Sequence, residues 1–200
     1  MSRVATDHIW RLVCRGVLVF ASLVAVASPM ATAGSSEYIA SFDVHYLLAK
    51  SGKLTVEETI AYEFGSNVRH GIYRDIPTQY RDDKNNYFYT TVEVGGVYDG
   101  AGAPVHYTEG TTSSGLQIRI GDAAVTVTGE HIYKINYSIQ PIVRPGDSGD
   151  RLALNVNGTS WQVPVQHATA SLSLADGLVA SSVRCYTGAM GSTETACSAV

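Results

Sequence analysis

The sequence has little positive charge and no long apolar run, and each shortage excludes a class of protein. Lys and Arg make up 14 of the 200 residues, against 18 Asp and Glu. A domain that binds nucleic acid or anionic lipid through its charge is normally basic. A membrane-spanning helix needs about 20 apolar residues, whereas the uncharged run Val17–Ala27 is roughly half that long and Pro29 follows it closely. The composition therefore argues against a nucleic-acid partner and against a transmembrane helix within this run.

The first 33 residues have the three-part layout of a secretory signal peptide. Arg3, Arg11 and Arg15 give a basic start, Val17–Ala27 is the apolar centre, and Ala31-Thr32-Ala33 supplies small residues before Gly34. We therefore predict that residues 1–33 are removed after export. A retained membrane anchor is the alternative. Residues 34–200 would then form one extracytoplasmic domain with 11 basic and 17 acidic residues, since residues 1–33 hold three and one of the totals, and a net charge of −6.

Cysteine is scarce, and its placement predicts one disulfide bond. Cys14 lies in the predicted signal peptide, which leaves Cys185 and Cys197 in the exported domain. Two cysteines in an oxidising compartment most simply pair with each other. A zinc site needs three or four ligands, usually in close pairs, and the spacing here does not provide them.

The histidines give no metal-binding pattern. Five of the six lie outside the predicted signal peptide, namely His45, His70, His106, His131 and His167, and none forms a His-x-His or His-x-x-x-His pair. We predict no metal and no cofactor, and no small-molecule ligand is evident. Convergence of scattered histidines in three dimensions is the alternative that the sequence leaves open.

Alternation with a period of two dominates residues 34–200 and predicts β-strands. Phe42, Val44, Tyr46 and Leu48 share one face of a first strand, and a second strand returns after a turn at residues 50–53. Similar segments follow, including Tyr133–Ile139 and Ala168–Leu174, and the Gly95-Gly96 pair suggests a bulge or a strand end. Many short strands with turns of Gly, Asp and Pro predict an all-β fold, an antiparallel and immunoglobulin-like β-sandwich.

One carboxylate falls on the face that should be buried. Glu58 shares the alternating face of Val56 and Ile60, and an isolated buried carboxylate costs several kcal/mol unless it finds a partner or stays protonated. We predict that Arg74 binds Glu58 in a bidentate way and also meets Asp75. The interpretation is structural, an ion-pair network that holds the 65–77 segment against the sheet, and a ligand site is the alternative.

The Gly146–Gly149 segment is similar to the serine-nucleophile segment of trypsin-like proteases. That chemistry also needs a histidine base, an orienting aspartate and an oxyanion hole. Asp150 stands where a glycine usually follows, and no histidine has a recognisable context. A polar turn is therefore the better interpretation, and we predict that the protein is not an enzyme.

Several phrases together resemble one bacterial family. They are Leu54–Ile60, Gly71–Pro77, Ile118–Asp122, Tyr133–Tyr137, Asn155–Val165 and the Cys185/Cys197 pair. Their order and spacing resemble the extracytoplasmic amino-terminal domain of predicted bacterial membrane proteins known as domain of unknown function 2207. The chain departs from the pattern at Leu154, where an aromatic residue is expected, and it ends at Val200 without the membrane helices of fuller members. The resemblance implies an exported β domain with no established activity, and gene neighbourhood within the family implies a partner of the LemA membrane-protein type.

Two functions remain after these observations. The first is a non-enzymatic extracytoplasmic domain of a cell-envelope protein that contacts a partner through loops at one end of the sandwich. The second is an exported hydrolase or carbohydrate-binding module with a cleft near Tyr73–Asp75 and Trp161. Convergence of Tyr73, Arg74, Asp75 and Trp161 in one open concavity favours the second function, whereas their burial or dispersal favours the first.

Overall fold

The computed structural model describes residues 37–81, 86–146, 149–188 and 192–198. These residues form ten strands and no α-helix. The strands are β1 (Tyr38–Leu48), β2 (Leu54–Glu63), β3 (Ile72–Pro77), β4 (Gln79–Arg81), β5 (Tyr87–Tyr89), β6 (Thr91–Asp99), β7 (Tyr107–Thr112), β8 (Gly115–Ile120), β9 (Glu130–Gln140) and β10 (Ala168–Leu174). The prediction of an all-β fold is confirmed. The predicted signal peptide, residues 1–33, lies outside the described residues.

The strands form a large sheet, a small sheet and a short hairpin. The large sheet has the order β10-β1-β2-β9-β6, the small sheet has the order β3-β8-β7, and β4 pairs with β5. All ladders are antiparallel except the one between β1 and β10, which is parallel. In the part of the chain that the structure describes, no helix is long and apolar enough to cross a bilayer.

The predicted alternation sets which faces are buried. Phe42, Val44 and Tyr46 of β1 are at most 4% exposed, and their predicted neighbour Leu48 is partly buried. The inward side chains of the large and small sheets join in one apolar cluster. Burying this cluster supplies the main favourable free energy of folding, because apolar surface leaves water. Tyr133 is part of the cluster, and burial raises its pKa to about 12.

Two irregularities interrupt the register of the large sheet. The register between β6 and β9 shifts between Val94 and Gly96, so the Gly95-Gly96 pair is a bulge, as the sequence suggested. A second shift, between Ile39 and Ser41 of β1, has no glycine to mark it and was not predicted. Bulges increase the local twist of a strand, so both positions are expected to add twist to the large sheet.

The edge strand β10 departs from the expected burial. The sequence alternates Ala168, Ala170 and Leu172 with polar residues, yet all of these side chains are exposed, Leu172 by 43%. The register places them beside Phe42, Val44 and Tyr46, which are buried. The inward face of β1 is therefore covered, whereas the corresponding face of β10 is not.

Candidate functional site

A buried ion pair joins the two sheets at the centre of the core. Glu58 lies on the inward face of β2 opposite Ile135 of β9, and Arg74 lies on the inward face of β3 opposite Ile118 of β8. Their side chains are 0% and 5% exposed. Alternation alone determines both orientations, because each strand places every second side chain on the core side.

The pair is bidentate. Arg74 Nε donates to Glu58 Oε2 at 2.8 Å, and Arg74 Nη2 donates to Glu58 Oε1 at 2.6 Å. The hydroxyl of Tyr137 also donates to Glu58 Oε1, at 2.6 Å. The parallel two-bond arrangement is the strongest geometry available to a guanidinium and a carboxylate. Both carboxylate oxygens of Glu58 are therefore satisfied inside the core.

The loop that contains Asn157 and Trp161 covers the other side of the guanidinium. Arg74 Nη1 donates to the carbonyl of Asp75 at 2.9 Å and to the carbonyl of Asn157 at 3.5 Å. Trp161 Nε1 donates to the same Asn157 carbonyl at 2.7 Å. The guanidinium carbon of Arg74 lies 5.2 Å from the ring centre of Phe42 and 6.0 Å from that of Trp161. Phe42 and Trp161 thus surround the cation with aromatic surface, which attracts it electrostatically.

The carboxylate of Asp75, the remaining predicted site residue, does not take part in this network. Its Oδ1 accepts a hydrogen bond from Gln117 Nε2 at 2.8 Å, so Arg74 contacts only the main chain of Asp75. Tyr73 points to the opposite face of β3 from Arg74 and is 55% exposed. The structure therefore brings Glu58 and Arg74 together, and it places Tyr73 and the Asp75 carboxylate elsewhere.

Burial and charge shift the ionisation of the groups around the pair. Burial opposes the charged form of Arg74, but attraction to Glu58 outweighs it and raises the pKa of Arg74. Burial, followed by the charge of Glu58, raises the pKa of Tyr46 and of Tyr137 well above the usual range for a phenol. Arg74 therefore stays positively charged across the physiological range, and the neighbouring Tyr46 and Tyr137 stay neutral.

In an alkaline titration, the buried tyrosines are expected to ionise at a higher pH than free tyrosine does. The pKa of a buried phenol such as that of Tyr46, Tyr62 or Tyr137 is raised in the folded chain, so these groups favour the folded state fully at pH values below the unfolded pKa of about 10. That contribution is lost as the pH rises above 10, because the unfolded chain ionises first. Tyrosinate absorbance at high pH should therefore rise in two steps, the second coinciding with the loss of far-ultraviolet β-sheet signal. A single step with the sheet signal intact would contradict the burial of these phenols.

Cys185 and Cys197 are joined by a disulfide, with Cα atoms 6.1 Å apart. The bond closes a small loop in which Thr187 and Glu194 form an antiparallel bridge. Neither cysteine belongs to the apolar cluster of the two sheets. The bond therefore constrains the segment after β10 and does not support the core.

Two surface clefts lie apart from the ion pair. The first includes Asp75 of the alternative cleft that the sequence suggested near Tyr73–Asp75 and Trp161, and the second was not predicted. One, of about 390 Å³, is lined by Asp75, Pro77, Gln79, Tyr80, Arg81, Tyr87, Ser113, Ser114, Thr159 and Ser160. The other, of about 290 Å³, is lined by His70, Asp99, Pro104, Val105, His106, Gly121, Asp122, Val125, Val127, His131, Ile132 and Tyr133. Three of the scattered histidines thus share a cleft. Within the described ranges, no group of three or more His, Cys, Asp or Glu is arranged to hold a metal ion. Asp147 and Ser148, the centre of the protease-like segment, lie outside the described residues.

Two solved structures show a remote likeness to the chain. The M1 zinc metallopeptidase from Deinococcus radiodurans is 11% identical, with a TM-score of 0.36 over 52% of this chain and 20% of the peptidase. Leukotriene A4 hydrolase from Saccharomyces cerevisiae is 11% identical, with a TM-score of 0.38 over 56% of this chain and 15% of the hydrolase. The chain therefore spans about a fifth or less of these two proteins.

Sequence comparison identifies the family. No curated protein matches the chain. The family model described as the N-terminal domain of a predicted membrane protein, DUF2207, matches residues 38–196, which include nearly all of the described structure. The chain belongs to the DUF2207 family of predicted membrane proteins.

Proposed function

We propose that this chain is the extracytoplasmic, non-enzymatic interaction domain of a membrane protein. It contacts a partner protein through the loops at one end of its sheets. These loops are residues 64–71, 100–106 and 121–129, which connect β2 to β3, β6 to β7 and β8 to β9. We call this end the loop end. The family match supports association with a membrane protein, and the predicted signal peptide and the disulfide support an oxidising compartment.

The dispersal of four side chains carries the proposal. A hydrolase or sugar-binding cleft near β3 requires Tyr73, Arg74, Asp75 and Trp161 to converge in an open concavity. Instead, Arg74 is 4% exposed, Tyr73 lies on the outer face of β3, and Trp161 packs its edge against Phe42 in the core. Of the four, Asp75 alone lines either of the two clefts described above.

The ion pair is buried, which keeps its charged groups out of reach of a substrate. A catalytic acid or base needs to reach a substrate within hydrogen-bond distance. Both oxygens of Glu58 are occupied by Arg74 and Tyr137, and the Glu58 side chain is inaccessible to solvent. The buried pair therefore stabilises the packing of the two sheets.

Site-specific photo-crosslinking in the native host tests the proposal. A photoreactive phenylalanine at Val125, which is 54% exposed at the loop end, is expected to give a discrete adduct with one envelope protein. The same residue at Ser51, in the exposed turn between β1 and β2 at the opposite end of the sheet, is the matched control and should give none. The resemblance makes a LemA-type membrane protein the first candidate for the adduct. Absence of an adduct at Val125, or equal adducts at both positions, would overturn the proposal.

A further inference from the structure

The cleft at the loop end brings together side chains from four parts of the chain. His70 lies just before β3, His106 just before β7, His131 near the start of β9, and Asp122 just after β8. Asp99, the last residue of β6, completes the polar lining. These positions are far apart in sequence, and the register of the two sheets places them around one opening.

Backbone carbonyls fix the hydrogen position on all three imidazole rings. His70 Nδ1 lies 2.9 Å from the carbonyl of Val125, His106 Nδ1 lies 3.1 Å from that of Gly121, and His131 Nε2 lies 3.1 Å from that of Thr128. A carbonyl only accepts hydrogen bonds, so the ring nitrogen that faces it must carry the hydrogen. The other nitrogen of each neutral ring is then an acceptor. The three histidines of the cleft thus offer lone pairs and no further donor.

Each of the two carboxylates of the cleft is held in place through hydrogen bonds to one of its two oxygens. Asp99 Oδ1 accepts from the backbone nitrogens of Ala101 and Ala103, and Asp122 Oδ1 accepts from that of Ala124. No donor from the described residues contacts the second oxygen of either carboxylate. Because these turns fix each side chain by one oxygen, the second oxygen is available to a ligand without a change of loop structure.

The lining of this cleft is rich in hydrogen-bond acceptors and poor in cations. None of the described residues that line the cleft is Lys or Arg. The nearby Lys134, next to the lining residue Tyr133, donates a hydrogen bond from its ammonium group to the carbonyl of Gly100 at 3.1 Å. The exported domain as a whole carries a net charge of −6 from its 11 basic and 17 acidic residues, which adds a long-range attraction for cations.

The rest of the lining is apolar. Val105, Val125, Val127 and Ile132 supply branched aliphatic surface. A bare metal ion gains nothing from such surface, and no described group of His and Asp is spaced to coordinate one. An arginine side chain has both required parts, an aliphatic stem for the apolar surface and a planar guanidinium whose five donors match fixed acceptors.

We propose that this cleft binds an arginine side chain presented by the partner protein. The stem packs on the valines and Ile132, and the guanidinium donates to Asp99, Asp122 and the free imidazole nitrogens. The inference rests on the proposed function, since it names the chemistry that the loop end recognises.

Titration of the full chain with N-acetyl-arginine amide tests the proposal directly. At about pH 8 free imidazole is neutral, and amide signals of Val105, Val125 and Ile132 in two-dimensional NMR should shift with a dissociation constant of roughly 1 mM, typical of a single side chain held by a few hydrogen bonds. N-acetyl-citrulline amide has the same shape without the charge and should bind about tenfold more weakly, because charge-assisted hydrogen bonds are lost.

Variants of the chain place the effect in the cleft. Asp122→Asn keeps the oxygen that accepts from Ala124, so the turn is preserved while the negative charge is lost. It should weaken binding of the arginine amide about tenfold. Asp75→Asn, in the other cleft, is the matched control and should leave the affinity unchanged. Equal binding of the arginine and citrulline compounds, or equal affinity of the Asp122→Asn protein, would overturn the inference. A crosslinked partner at Val125 without arginine-amide binding would overturn this inference alone and leave the proposed function standing.

Discussion

Replacement of Glu58 by glutamine is expected to lower the melting temperature by roughly 10 °C. Glutamine keeps the size of the side chain and can still accept from Tyr137, but it leaves the buried charge of Arg74 without a counter-charge. Removing one partner of a buried ion pair costs about 3–5 kcal/mol. In a domain of this size each kcal/mol lowers the melting temperature by about 2–4 °C. Thermal unfolding followed by circular dichroism measures the shift.

Glu57 provides the matched control for this change. It precedes Glu58 in β2 but points to the exposed face. Glu57→Gln removes the same charge from the same strand, and it should change the free energy of unfolding by less than about 0.5 kcal/mol, as is usual for surface sites. If the Glu58→Gln and Glu57→Gln proteins melt together, the ion pair does not stabilise the core.

A double replacement separates the contribution of the ion pair to stability from the contributions of its two side chains. Arg74→Met leaves the carboxylate of Glu58 without its cation, whereas Glu58→Leu together with Arg74→Met leaves neither charge buried. The double variant should therefore be more stable than the sum of the single losses indicates, because each single change orphans a charge. Additive losses would mean that the two side chains act independently.

Gly158→Ala is expected to cost roughly 3 kcal/mol of stability. Gly158 has a φ of +79°, and a Cβ at this position would lie 2.5 Å from Arg74 Nη1. A flexible arginine could normally move away, but here Nε and Nη2 of the same guanidinium are held by Glu58. The substitution therefore adds crowding of about 1–3 kcal/mol to the 1–2 kcal/mol cost of a left-handed backbone. Chemical denaturation gives the free energy directly.

Gly129→Ala isolates the backbone part of that cost. Gly129 has a similar φ of +70°, and nothing lies within 4 Å of an added Cβ. This variant should lose only about 1–2 kcal/mol. Equal losses at Gly158 and Gly129 would show that the loop containing Gly158 does not press on the guanidinium.

Much of the ion-pair site could be predicted from sequence because its geometry follows from strand alternation. The position of Glu58 between Val56 and Ile60 was enough to place a carboxylate in the core. Its partner Arg74 followed from the need for a nearby cation that can bind both oxygens. The loop that contains Asn157 and Trp161 was not predicted to cover the guanidinium. Residues 155–161 form no strand, so no alternation of side chains relates Asn157 to β3.

The exposure of β10 could not be predicted in the same way. Its alternation resembles that of β1, but whether an apolar face is buried depends on the width of the opposing sheet. The small sheet has three strands against five in the large one, so an outer strand stays uncovered. The parallel pairing with β1 is equally non-local, since it depends on the path of the chain after β9.

The histidine cleft shows the limit of spacing as a signal. His70, His106 and His131 have no short spacing that indicates a shared site. They meet because β3, β7 and β9 all begin at the same end of the fold. A sequence pattern reports contacts along one element, whereas this site depends on three connections between elements.

The pairing of β1 with β10 determines when the protein can finish folding. β1 is an interior strand, and one of its two neighbours is β10, the last of the strands in the described residues. Contacts such as that between Asp43 and Thr169 join residues 126 positions apart. Until residues 168–174 leave the ribosome, the nascent polypeptide carries an open edge along β1, which can pair with other chains and aggregate. A chaperone that delays collapse until synthesis is complete would protect this edge.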